Sequence, residues 1–169
     1  MMNITTIALL VLAPLLVWRV FLRVKAMMVS QRSILSRHYT GVLVFGGMVL
    51  VAASEVFRNL PMLGWLGLGT AAGIAYAVWG LRLTRFDNAT VYFTPNARLG
   101  LVIAMLFVAR VMYIGVEIYA NQDSGVPTPG FTESPLTLLA IGLTGGYFGT
   151  YSAGLIRWRR SLTRAIRKA

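Results

Sequence analysis

Five apolar runs, each about as long as a helix needs to cross a lipid hydrocarbon core, alternate with short basic clusters along this 169-residue chain. The runs cover residues 4–22, 39–57, 62–81, 98–119 and 136–156. Fourteen of the sixteen Lys and Arg residues fall into three clusters between or after these runs. The first holds Arg19, Arg23, Lys25, Arg32 and Arg37, and the second Arg82, Arg85 and Arg98. The third holds Arg157, Arg159, Arg160, Arg164, Arg167 and Lys168. In lipid every backbone polar group must be satisfied within its own segment, so runs of this kind can only be helices. The expected fold is an all-α membrane protein, a bundle of five transmembrane helices. Positive loops stay on the cytoplasmic side. With five spans, all three clusters share one side, which puts the N-terminus outside and the C-terminus in the cytoplasm.

Composition supports one membrane domain over residues 1–169, with 157–169 as a basic cytoplasmic tail. Hydrophobic residues make up 57% of the chain and charged residues only 12%, too few to cover a soluble domain of this size. The net charge of +11 does not point to nucleic acid, because the charges sit at the ends of apolar runs rather than in a basic domain. Their expected partner is the anionic headgroup layer at the cytoplasmic face. The chain has no cysteine. Disulfide scaffolds, thiol redox relays, cysteine zinc sites and palmitoylation are therefore excluded. The first run lacks a charged segment before it and a clear small-residue cleavage site after it, so it reads as a retained span.

The connections carry turn and cap chemistry. Asn59-Leu60-Pro61 predicts a tight turn between the second and third spans. Thr94-Pro95 and Ser134-Pro135 each place a capping hydroxyl before a proline at the first helical position. Residues 121–134 hold two glycines and two prolines before Pro135's cap and read as an irregular loop. Leu81 to Phe93 has two β-prone arms about Asp87-Asn88, which predicts a small cytoplasmic β-hairpin-like loop between helices 3 and 4. Val24 to Arg37 mixes apolar and basic residues, as an interfacial amphipathic segment does.

Small residues mark the third and fifth spans. Gly69, Gly73 and Ala77 recur at intervals of four, as do Gly142 with Gly146, and Gly145 with Gly149 and Ala153. This spacing lets helix backbones approach closely. Packing within the chain and a homodimer face both fit it. No internal repeat of the kind seen in inverted-repeat transporters is visible.

One polar constellation falls inside a span. Arg110 is near the middle of the fourth run, where a charge costs about 2.5–3.5 kcal/mol on insertion scales and calls for partners. Tyr113 and Glu117 follow on the same helical face, and Glu55 lies near the outer end of the second span. A carboxylate, Glu117 or Glu55, is expected within direct or water-mediated reach, with a carbonyl from another span as an alternative partner. Arg110 then either holds the bundle in register or, with Tyr113, Glu117 and Glu55, lines a polar cavity for an anionic or zwitterionic ligand. His38, the single histidine, reads as a solvated interfacial residue, and nothing specifies a second haem ligand. Asn88-Ala89-Thr90 matches a glycosylation sequon on the side that is not glycosylated. The eight Met residues read as membrane core and interface filler. No catalytic grouping, cofactor motif or metal-ligand spacing is present in the sequence, so no enzyme activity is expected.

Leu81-Arg82-Leu83-Thr84 through Tyr92-Phe93-Thr94-Pro95-Asn96, followed by a span with Arg110-Val111-Met112-Tyr113, resembles the CcdC-like family of small bacterial membrane proteins. Phe21-Leu22-Arg23-Val24-Lys25-Ala26 is similar too. The resemblance implies a bacterial inner-membrane protein of four or five helices with no established activity. The family's name associates it with cytochrome c biogenesis, yet a chain without cysteine cannot itself pass electrons through thiols. The expected function is a non-enzymatic multispanning protein that packs with itself or with a membrane partner. The alternative is a small transporter or ligand-binding membrane protein built around Arg110.

Overall fold

The computed structural model describes residues 31–87, 92–121, 130 and 133–168. The predicted span over 4–22, the segment from Val24 to residue 30 and the sequon lie outside the described residues. Within them the chain is four helices and a small sheet. Strand β1 is Gln31–Arg32, α1 Leu35–Val56, α2 Leu60–Leu83, β2 Arg85–Phe86, β3 Tyr92–Thr94, α3 Ala97–Asn121 and α4 Pro135–Lys168.

Each boundary has a local cause. Asn59 caps α2, accepting from the Met62 N–H at 3.4 Å, with a proline in the first turn, where a missing N–H is harmless. At its other end Thr84 turns extended, returns its N–H to the Leu81 carbonyl and its hydroxyl to the Gly80 carbonyl. The start of α3 differs from the sequence expectation. Asn96, not Thr94, accepts the first free N–H, that of Arg98, and Thr94 closes β3 instead. Helix α4 opens on Pro135, with the Ser134 carbonyl accepting from the N–H groups of Thr137 and Leu138. It then runs on without a break through the basic residues expected to form a tail. At 34 residues it is about 50 Å long.

Helix α4 is the axis of the bundle. Gly69 meets Leu139 and Gly73 meets Leu143, so α2 lies parallel to α4. Gly41 faces Ser152 and Gly145 faces Phe45, so α1 lies antiparallel. Gly100 faces Tyr147 while Arg110 reaches Thr137, so α3 is antiparallel too. One buried cluster joins Ala52, Val56, Leu66, Leu138 and Ile141 at the end where α1 turns into α2. A second joins Ala77, Ile103 and Tyr147. These two ends are called the turn end and the sheet end below.

The predicted hairpin forms, with one strand more than expected. β2 and β3 pair antiparallel, Phe86 opposite Phe93, and β1 adds to the other side of β3, Arg32 opposite Tyr92. Residues 31–32, expected in an amphipathic interfacial stretch, are strand because β3 offers them an open edge. Phe86 and Phe93 both lie against Trp158, at ring separations of 4.8 and 6.4 Å, which fixes the sheet to α4.

Three helices are long and apolar enough to cross a membrane: α1, α2 and Arg98–Asn121 of α3. Helix α4, the home of the predicted fifth span, is not among them. Its first half is built from Gly, Thr and Tyr as well as Leu and Ile, because its neighbours are helices rather than lipid.

Candidate functional site

Arg110 projects from α3 toward the first turn of α4. Its Nε donates to Thr137 Oγ1 at 3.1 Å and its Nη2 to Ser134 Oγ at 2.6 Å. The Tyr113 ring lies one turn on, 5.1 Å from the guanidinium carbon, close enough for a cation–π contact. Thr137 is buried and Arg110 half-buried. Ser134 serves α4 through its carbonyl and Arg110 through its hydroxyl, rather than capping with the hydroxyl as its sequence context predicts.

The hydrogen-bond partners of Arg110 among the described residues are hydroxyls. Among the described residues neither Glu117 nor Glu55 pairs with Arg110. Glu55 is exposed near the end of α1, and Glu117 is half-exposed two turns beyond Arg110. Thus Arg110 and Tyr113 are brought together, while Glu117 shares only their helix and Glu55 only their end of the bundle. Arg110 lies near the middle of α3, as expected, being residue 14 of 25, but α3 is staggered against α4. Ten residues of α3, from Gly100 to Arg110, match ten of α4 in the reverse direction, from Tyr147 to Thr137. The guanidinium therefore sits at the very start of α4, level with the α1–α2 turn, and not midway along the bundle. The eleven residues of α3 past Arg110 run about 16 Å beyond that level. A hydropathy profile gives the length of a run and not its stagger against other helices, so this level is not legible in sequence.

The glycines divide into groups. Gly69, Gly73, Gly142 and Gly146 face one another across α2 and α4. A Cβ on Gly142 would meet the Leu66 carbonyl and the Thr70 N–H, the latter at 2.8 Å; one on Gly146 would meet the Thr70 carbonyl at 2.5 Å. Gly145 faces α1, where a Cβ would lie 2.9 Å from the Phe45 carbonyl oxygen. Gly149 is looser, with nothing nearer than 3.9 Å.

Three polar contacts escape sequence reasoning. Ser134 and Thr137 are the first; their three-residue spacing at the start of a helix antiparallel to that of Arg110 was the available signal. Thr84 and Tyr151 are the second, bonded hydroxyl to hydroxyl at 2.8 Å, with Tyr151 stacked on Tyr147. Ser33 and His38 are the third. His38 is buried rather than solvated, bonded through Nε2 to Ser33 Oγ at 3.0 Å and set edge-on against Phe93. It helps seat β1 and β3 on α1. Among the described residues no group of three His, Cys, Asp or Glu side chains could hold a metal ion.

The chain matches the family described as CcdC protein over residues 3–165. It belongs to that family. The match covers the sheet, the first three helices and α4 up to residue 165, and it includes the segment 81–96 and the Arg110 region on which the resemblance rested. No curated protein and no solved structure matches the chain. Family membership and the apolar helices together make this a membrane protein, in a family described by its name and not by an activity.

Proposed function

We propose that this CcdC-family chain is a non-enzymatic, multispanning protein of the bacterial inner membrane that acts by packing against a membrane partner through α3. The observation that carries this is the isolation of α3. It is the most apolar of the three candidate spans, and Gly100 and Arg110 in its first half meet α4. Beyond Arg110, Ile114 is buried, while Met112, Val116, Ile118 and Tyr119 are exposed. Gly69, Gly73, Gly142 and Gly146 are occupied by the α2–α4 contact within the chain. Photo-crosslinkers placed at Val102 and Val116 in cells test the reading. Discrete adducts at Val116, to a second copy or to one defined protein, are expected. A smear of lipid adducts at both positions would sink it.

Charge supports the orientation. The described sheet end carries Arg32, Arg37, Arg82, Arg85, Arg98, Arg157, Arg159, Arg160 and Arg164, against the single acid Asp87. The turn end carries Arg58 and Arg110 with Glu55, Glu117 and Glu133. By the positive-inside rule the sheet end faces the cytoplasm and its anionic headgroups. Reporter fusions at Asp87 and after Lys168 should read cytoplasmic, and one at Gly125 external.

A second reading has its own observation. Arg110 holds a full charge on two neutral hydroxyls and a ring, with no carboxylate among the described residues. That favours an anion-binding membrane site there. Arg110→Ala, folded but unable to bind an anionic ligand, is the outcome that would raise it above the first.

A further inference from the structure

We propose that His38 is a proton-operated latch on the sheet: its neutral imidazole holds β1 against β3, and protonation lets β1 go.

The latch is built where four elements meet. His38 lies in the first turn of α1 and is only 9% exposed. Its Nε2 bonds Ser33 Oγ at 3.0 Å, and Ser33, the residue after β1, is itself buried. Its ring stands edge-on to Phe93 of β3, with 5.9 Å between centroids. Helix α4 is the fourth element. Arg160 donates to the Tyr39 hydroxyl at 2.6 Å, and one residue earlier on each helix Arg159 and His38 interact electrostatically. The Arg159 Nε is buried with no hydrogen-bond partner among the described residues.

The charges around the ring are of one sign. Arg159 acts on it from α4, while Arg32 of β1 and Arg37 of α1 flank Ser33 and His38 in the chain. The start of α1 adds the positive end of its dipole. Strand β3 presents the apolar Phe93. Asp87, the one acid described at the sheet end, follows β2 on the opposite edge of the sheet. A neutral imidazole is at ease in this place. An imidazolium would be a second buried cation beside Arg159, without an anion to balance either. Ser33 Oγ can accept from the charged ring as well, so protonation does not break that bond by itself. The cost of the buried charge does, because water reaches the ring only when the segment that covers it moves. That segment hangs on β1, which is two residues long. A site that admits only the neutral ring favours its open form by up to about tenfold for each pH unit below the ordinary histidine value of about 6.5.

Electron-spin distance measurement on the full chain in detergent tests this. The chain has no cysteine of its own, so nitroxide labels at Arg32→Cys and Arg85→Cys mark the two outer strands. The window from about pH 8 to about pH 5 titrates histidine and leaves most carboxylates charged. At the upper limit the label separation should be narrowly distributed. At the lower limit it should lengthen and broaden, with the ratio of open to closed forms about tenfold higher. His38→Gln keeps an amide to bond Ser33 and takes no proton, so its distribution should stay narrow at both limits. The same distribution at both limits without that substitution overturns the proposal. So does His38→Gln that opens on acidification as fully as the unsubstituted chain. If His38→Gln fails to hold β1 even at the upper limit, Arg159→Gln decides. Removal of the neighbouring cation makes the imidazolium easier to bury, so more of the closed form should survive at the lower limit; an unchanged loss is fatal.

Discussion

Helices α3 and α4 are antiparallel neighbours, and they are built on opposite terms. Helix α3 is the most apolar of the candidate spans, yet most of its large side chains are exposed, among them Val102, Met105, Leu106, Val116 and Ile118. Helix α4 is too rich in Gly, Thr and Tyr to register as a candidate span, and Leu138, Ile141, Gly142, Thr144, Gly145, Gly146 and Tyr147 are all buried. In water the ranking would be reversed, since burial there selects the apolar segment. In lipid the solvent is itself apolar. Hydrophobicity then marks what faces lipid, and small residues mark what faces protein.

The largest effect should come from filling the α2–α4 contact. Gly142→Leu drives a side chain into the backbone of α2 at Leu66 and Thr70, which no rotamer avoids. The cost should exceed about 3 kcal/mol, read as loss of the monodisperse peak after mild heating in detergent. If α4 were a peripheral helix like α3, this variant would be silent. Tyr147→Ala should come next, at about 3 kcal/mol, because the ring fills the space between Gly80, Gly100 and Ile103. It also separates the two helices, so α3 should become accessible to protease before the rest.

Arg110→Gln should cost about 1–2 kcal/mol in thermal unfolding, the value of its hydroxyl contacts. An equal loss in Thr137→Val, without further loss in the double variant, would confirm that the two act as a pair. Met105→Ala on the exposed face of α3 should cost under about 0.5 kcal/mol. A loss near that of Tyr147→Ala would show that this face is covered, and the contrast between the helices would fall.

The helix positions were legible because each depends on the content of a run. The second to fourth predicted spans lie within one to four residues of α1, α2 and α3, and the Asp87 turn announced the hairpin. Gly69, Gly73, Gly142 and Gly146 carried their own spacing. What eluded sequence was relational. The third strand depends on β1 finding β3 some sixty residues away in sequence. The level of Arg110 against α4 depends on how far α3 slides along that helix. Its hydroxyl partners depend on the same slide, and a search for opposite charge passes over Ser134 and Thr137. His38 read as solvated because a lone histidine says nothing of the strand that covers it.

The parallel contact of α2 with α4 bears on how the protein is made. The two faces are some seventy residues apart in sequence, and α4 is the later of the two to be synthesised. Until it arrives, α2 holds Gly69 and Gly73 toward lipid with no partner for their close approach. The nascent bundle is thus assembled around a vacancy that its last described helix must fill. A protein that recognises exposed small-residue faces in the bilayer could distinguish a finished chain from an unfinished one by that single event.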